Sequence, residues 1–250
     1  MTQKTTLANT VRRAKKAAQM LLCFLRTGYF PDRIERVCPD VPDWYFEQHF
    51  KVYRFFQQLA VGKHVLDIGC GTGYGTAHLG DVADAVGIDI DEPTIIYARK
   101  KYPDVRFEIG DVHDLSRFPD GSFDRVISTE NFEHLRDVRG HLREVRRVLS
   151  PSGICFIATP NPEMTYHLSS NPHHVREYEY KELADLIASE FSEFFILENK
   201  WEPSSQRGKD EKAARISRGD YGIAELTHVF GCQVNSDFVD NTHSFWVFAR

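Results

Sequence analysis

Two groups of residues in this 250-residue chain have types and spacings that could do chemistry. The first is Thr129-Glu130-Asn131-Phe132-Glu133-His134-Leu135. On one helical turn Glu130, Glu133 and His134 fall at i, i+3 and i+4 and share a face. Two carboxylates and an imidazole can hold a divalent cation, or the imidazole can serve as a general base near neutral pH. A further imidazole comes from the stretch Asn171-Pro172-His173-His174-Val175-Arg176-Glu177-Tyr178. His134 is the first candidate base or ligand and His174 the second; the sequence does not separate His174 from His173. The second group is Val65-Leu66-Asp67-Ile68-Gly69-Cys70-Gly71-Thr72-Gly73-Tyr74-Gly75. It reads as a buried strand that stops on glycines, which permit a tight turn and a close approach of a ligand to the backbone.

The ligand of that loop is constrained by what is missing. A dinucleotide fingerprint needs Gly-x-Gly-x-x-Gly, and the sixth position is Tyr74 counted from Gly69 and Thr76 counted from Gly71. Asp67 would repel a pyrophosphate but suits a ligand with an ammonium and a sulfonium, such as S-adenosylmethionine. The stretch LDIGCGTG resembles the first motif of the class I methyltransferases that use S-adenosylmethionine (SAM). That resemblance covers roughly residues 61–188. It implies that Asp67, Gly69, Gly71 and Gly73 line the methionine end of the cofactor. It further implies that Asp89 holds the ribose hydroxyls, Ile90 packs on the adenine, and Asp111 with Val112 meets the adenine edge. The plain alternative for Asp89 and Asp111 is a pair of solvated loop carboxylates, but each falls where a strand is expected to end.

The elements that must position these groups alternate. Trp44 to Leu59 reads as an amphipathic helix, followed through Gly62 by the glycine-ended strand. Further strands are expected at 85–89, 105–109, 123–128 and 154–158, with helices to about Leu79, from Pro93 to about Lys101, and over 138–149. Ser150-Pro151-Ser152-Gly153 reads as a turn. A helix at 180–189 and strands at 194–198 and 244–248 complete the pattern. Alternating strands and helices point to a mostly parallel α/β sheet with helices on both faces. A last strand after a long excursion fits a Rossmann-like seven-stranded sheet with an antiparallel final strand.

The chain divides into an N-terminal extension, 1–43, and a domain, 44–250, with a polar insertion at about 201–241 that contains Pro203, Gly208 and Gly219. In the extension Lys4, Arg12, Arg13, Lys15, Lys16 and Arg26 are basic and no acidic residue precedes Asp32. Apolar residues recur there at helical spacing. A helix packed on its own domain is the preferred reading, ahead of a basic membrane-surface helix and a transit peptide. The net charge of −5 gives no global attraction for nucleic acid. Five scattered cysteines without a CxxC argue for a reducing, cytoplasmic setting and against a disulfide scaffold or structural zinc. No apolar run approaches a membrane span.

The Glu-x-x-Glu-His pattern with His174, Glu177 and Tyr178 resembles the small-RNA 3′-terminal 2′-O-methyltransferases. That resemblance implies that Glu130, Glu133, His134 and His174 hold a divalent metal (Mn, Mg, Fe, Co or Zn) that grips a ribose diol. The chain lacks the basic, aromatic-rich surface such a role needs. The Asn-Pro-x-His-Val-x-Glu-Tyr-like segment also resembles bacterial methyltransferases of glycan synthesis. A metal-free site, in which His134 is the base or caps the helix, stays open. The expected function is SAM-dependent O-methylation of a glycan or other small molecule, with a peripheral membrane contact as an additional partner. The alternatives are methylation of RNA 3′ ends, an NAD-dependent oxidoreductase, and a SAM-binding protein without turnover.

Overall fold

The computed structural model describes residues 3–31, 36–41, 44–162, 172–197 and 244–250. Seven strands form one sheet: β1 (His64–Ile68), β2 (Asp84–Asp89), β3 (Arg106–Ile109), β4 (Phe123–Thr129), β5 (Leu149–Pro160), β6 (Phe194–Leu197) and β7 (Ser244–Ala249). Their order is β3-β2-β1-β4-β5-β7-β6. Strands β1 to β5 are parallel to their neighbours, whereas β7 runs antiparallel to both β5 and β6. The helices are α1 (Gln3–Thr27), α2 (Trp44–Ala60), α3 (Tyr74–Gly80), α4 (Glu92–Lys101), α5 (Val138–Val148) and α6 (Tyr180–Ala188). This is the Rossmann-like, mostly parallel seven-stranded sheet that the alternation predicts.

Burial on both faces explains the near-continuous apolar strands. In β7, Phe245, Val247 and Ala249 join the core that contains Leu142 and Leu183, while Trp246 and Phe248 join the opposite core with Phe55 and Phe56. The alternation is the period of two that a strand imposes. Helix starts are set locally. The Asp91 side chain accepts from the Thr94 amide at 3.0 Å, Pro93 sits in the first turn of α4, and Arg99, Lys100 and Lys101 fill its last turn. Asp137 caps α5 the same way through Gly140.

Two expectations are corrected. The stretch 150–153 is not a turn between elements. It is part of β5, where the register jumps from Phe123 opposite Leu149 to Arg125 opposite Ile154. The surplus residues on β5 are taken up as a bulge, which Ser, Pro and Gly accommodate. Residues 129–135 do not make one helical turn, because Glu130 has φ 47° and only Phe132–His134 is a short 3₁₀ turn. Helix α1 does pack on the domain, but through Met20 and Cys23, while Val11, Leu21, Leu22 and Leu25 of its apolar stripe stay exposed. No helix among the described residues is long and apolar enough to cross a membrane. The expected insertion at 201–241, Asn171 and Cys232 lie outside the described residues. Cys23, Cys38, Cys70 and Cys155 are buried thiols.

Candidate active site

The glycine loop lies at the carboxyl end of β1, at the point where chain connections diverge to β2 on one side and β4 on the other. Open α/β sheets bind ligands at such a switch point. Gly69, Gly71 and Gly73 have φ of 73°, 53° and 78°, the left-handed region. The amides of Gly69 and Cys70 donate to the Ile88 carbonyl at 2.8 and 3.0 Å, which ties the loop to β2. Asp89, 7% exposed at the end of β2, accepts from the Gly71 amide and the Asp91 amide, each at 2.9 Å. Arg36 lies 3.5 Å from Asp89 and 3.9 Å from Asp91. Thr72 donates to the Val37 carbonyl at 2.7 Å. The segment 36–38 therefore crosses the loop.

Asp67 is wholly buried beneath it. One carboxylate oxygen accepts from Thr76 at 2.6 Å and the other from Tyr53 at 3.1 Å, and Thr129 in turn donates to the Tyr53 hydroxyl at 3.1 Å. Burial pushes the Asp67 carboxyl up to about 7, against the two hydroxyl donors and with help from the Asp89 charge. Ile90 is 66% exposed. Asp111 is half-exposed and pairs with the amide and ring of His113, which hold its carboxyl below the usual range. Val112 is buried, and its carbonyl faces Nδ1 of His141 at 3.0 Å.

The second cluster sits against the first. Asn131 lies over Gly69, whose Cβ, if it had one, would be 2.7 Å from the Asn131 side chain. Two residues on, Glu133 is 1% exposed and accepts from Thr159 at the end of β5, at 3.1 Å. The amides of Val175 and Arg176 donate to the Glu133 carbonyl at 2.8 and 3.1 Å, which docks the second histidine stretch on the same sheet edge. Glu133, His134 and His174 thereby come together, with one ligand atom of each within 4.8 Å of the others. Nδ1 of His134 faces the His173 carbonyl at 3.0 Å, and Nδ1 of His174 faces Glu177 at 2.7 Å. Those acceptors favour hydrogen on both Nδ1 atoms, so each Nε2 carries the lone pair. Nε2 of His134 is 3.7 Å from Glu133. Two imidazoles and a carboxylate gathered this closely suit a proton or a cation between them.

Glu130 is not in this cluster. Its left-handed backbone takes it off the expected helical face, and its carboxylate accepts from Ser244 at 2.7 Å. His174 is the clustered member of the His173-His174 pair, and the His173 carbonyl faces Nδ1 of His134. Sequence reasoning missed Arg36, Tyr53, Thr76 and Thr159. Tyr53 carried a signal: a hydroxyl on an otherwise apolar helix face needs a buried partner.

Residues 66–157 match the methyltransferase domain family. The chain is 36% identical over 160 residues to a probable S-adenosylmethionine-dependent methyltransferase of Mycolicibacterium smegmatis, covering 61% of this chain and 62% of that protein. It thus spans about three fifths of that relative. It is 38% identical over 107 residues to the O-methyltransferase cnsE of Penicillium expansum, covering 40% of this chain and 38% of that protein. A crystal structure of a SAM-dependent methyltransferase from Archaeoglobus fulgidus superposes with a TM-score of 0.57 at 19% identity, over 83% of this chain and 99% of that one, and shows the shared fold.

Proposed function

We propose that this chain, which carries a class I SAM-dependent methyltransferase domain, transfers the methyl group of S-adenosylmethionine to a hydroxyl oxygen of a small molecule or glycan. The observation that carries the oxygen acceptor is the Glu133-His134-His174 cluster, held against the glycine loop through Asn131. The O-methyltransferase relative supports it. The sulfonium methyl is already activated, so catalysis is chiefly alignment of the nucleophile with the C–S bond. The acceptor O–C bond forms as the S–C bond breaks, and the hydroxyl proton passes to Nε2 of His134. The buried Glu133 carboxylate stabilises the resulting imidazolium.

The orientation of both imidazoles supports a second form of the same reading. A divalent cation would be held by Glu133 and by Nε2 of His134 and His174, with Glu177 fixing His174 from behind. When bound it would acidify a hydroxyl. A donor set of two imidazoles and one carboxylate favours Mn²⁺, Fe²⁺, Co²⁺ or Zn²⁺ over Mg²⁺. With Glu130 outside the cluster, the four-ligand pattern that pointed to RNA 3′ ends is not assembled. The experiment is a screen of hydroxylated metabolites and glycans for transfer from methyl-labelled SAM, with and without chelator. No labelled product from any acceptor class, with SAM bound, would favour a binding protein without turnover.

Two consequences concern the cofactor. Asp89 accepting ribose hydroxyls is a charge-assisted contact of about 1.5–3 kcal/mol. Asp89→Ala should therefore weaken SAM binding at least ~10-fold by calorimetry; unchanged affinity would move the ribose elsewhere. Asp67 gives a pH dependence. Its folded-state value of about 7 lies above the ordinary 3.8, so the ligand-free fold binds the proton more tightly than the unfolded chain and loses stability as pH rises between them. A cation on the loop favours the ionised form and expels that proton. SAM affinity should fall as pH drops through about 7, and binding near that pH should release protons. Titrations in two buffers of different ionisation enthalpy measure the release, and identical heats would sink the idea.

A further inference from the structure

We propose that the outward face of α1 docks on an anionic lipid bilayer surface. Among the described residues α1 packs on the rest of the chain through Met20 and Cys23, which are buried with Tyr29, Cys38, Val41 and Tyr97. Its other side is apolar and uncovered. Val11, Leu21 and Leu25 are 48%, 53% and 69% exposed. With the exposed Ala14 and Ala18 they recur at alternating steps of three and four, a single stripe on a helix. At about 100° per residue this stripe lies opposite Met20 and Cys23. At the carboxyl end of the helix, Phe24 and Phe30, each 46% exposed, meet edge to face at 6.3 Å.

Charge selects the occupant. The first 31 residues contain six basic side chains and no acid, while the whole chain carries −5. Lys15 and Arg26 are exposed and, at about 100° per residue, lie along one flank of the stripe. An apolar stripe flanked by basic residues matches a layer of anionic headgroups: leucine and phenylalanine enter the acyl boundary and the ammonium groups stay with the phosphates. A second copy of α1 would instead bring like charges together, without the opposite-sign pairs that helix pairing uses.

The test is co-sedimentation of the full chain with vesicles of phosphatidylcholine alone, or of equal parts phosphatidylcholine and phosphatidylglycerol. The expected result is pelleting with the anionic vesicles and release at ~1 M salt, where the screening length falls to about 3 Å. Lys15→Gln with Arg26→Gln should lower partitioning about 25-fold, at roughly fivefold per basic residue. Leu21→Gln with Leu25→Gln should lower it at least ~10-fold. All four side chains are exposed, so each double variant should keep the wild-type thermal midpoint. No pelleting, or equal pelleting with neutral vesicles, overturns the proposal. So does a dimer by light scattering that the leucine variant dissociates while vesicles go unbound, since the occupant is then a second copy.

Discussion

Glu133→Gln should reduce methyl transfer by ~10²–10⁴-fold, the range that a positioned acid–base group commonly supplies, while leaving SAM affinity within about twofold. The amide keeps an acceptor for Thr159 and the backbone carbonyl keeps Val175 and Arg176, so the 172–178 stretch stays docked. What is lost is a negative charge buried to 1% exposure beside Nε2 of His134. The pattern across the cluster separates the two forms of the mechanism. If His134 is a plain base, His134→Ala is the most damaging change, His174→Ala is milder, and chelator has no effect. If a cation is held, all three substitutions and chelator abolish turnover alike, and added metal restores the chelated wild type. Steady-state rates alongside calorimetric SAM affinity decide it. A wild-type rate in Glu133→Gln would remove the cluster from the chemistry altogether.

Gly73→Ala should cost about 2–5 kcal/mol of stability, about 1–2 for a left-handed alanine and about 1–3 for overpacking. At φ 78° a Cβ there would meet Phe107 at 2.6 Å and Ala98 at 2.8 Å. Both are buried in one cluster with Cys70 and Ile95, so neither can move aside cheaply. The thermal midpoint should fall by roughly 5–15 °C. Gly71→Ala makes the contrast. Its φ of 53° carries the conformational cost, but nothing lies within 4 Å of the added atom. That open side is where a cofactor would approach the backbone. Gly71→Ala should melt only roughly 2–8 °C below wild type yet lose SAM binding, whereas Gly73→Ala should lose more stability and the binding as well. Equal melting temperatures for the two variants would contradict this division between a packing glycine and a binding glycine.

The sheet was legible because strands buried on both faces announce themselves as short apolar runs, and because Gly69 and Asp89 mark where two of them stop. The loop carboxylates were legible for the same reason: a charged residue at the end of an apolar run has few places to be. Glu130 was misplaced because the i, i+3, i+4 rule assumes helical backbone at every position, and its φ of 47° breaks the assumption at the first. Tyr53 and Thr76 could not be matched to Asp67 because hydroxyl partners across 14 and 9 positions leave no periodic trace. Arg36 was hidden by its place in an extension that reads as separate from the domain, although it reaches Asp89 at the end of β2. The α1 stripe was recognised, but periodicity shows that a helix has two faces without telling which one is turned inward.

The placement of β7 between β5 and β6 has a consequence for synthesis. Among the described strands β6 pairs only with β7, and the numbering gap between them runs from 198 to 243. At ~5–20 residues per second, a ribosome spends seconds in that gap. Throughout it the four apolar residues of β6, Phe194-Phe195-Ile196-Leu197, and the edge of β5 both lack the β7 strand that pairs with them in the finished sheet. The cofactor half of the sheet, β1 to β4, is by then already made. The nascent chain thus passes through a stage with a formed ligand loop and an adhesive, unfinished edge, and it is at this stage that chaperone demand and aggregation in overexpression should be concentrated.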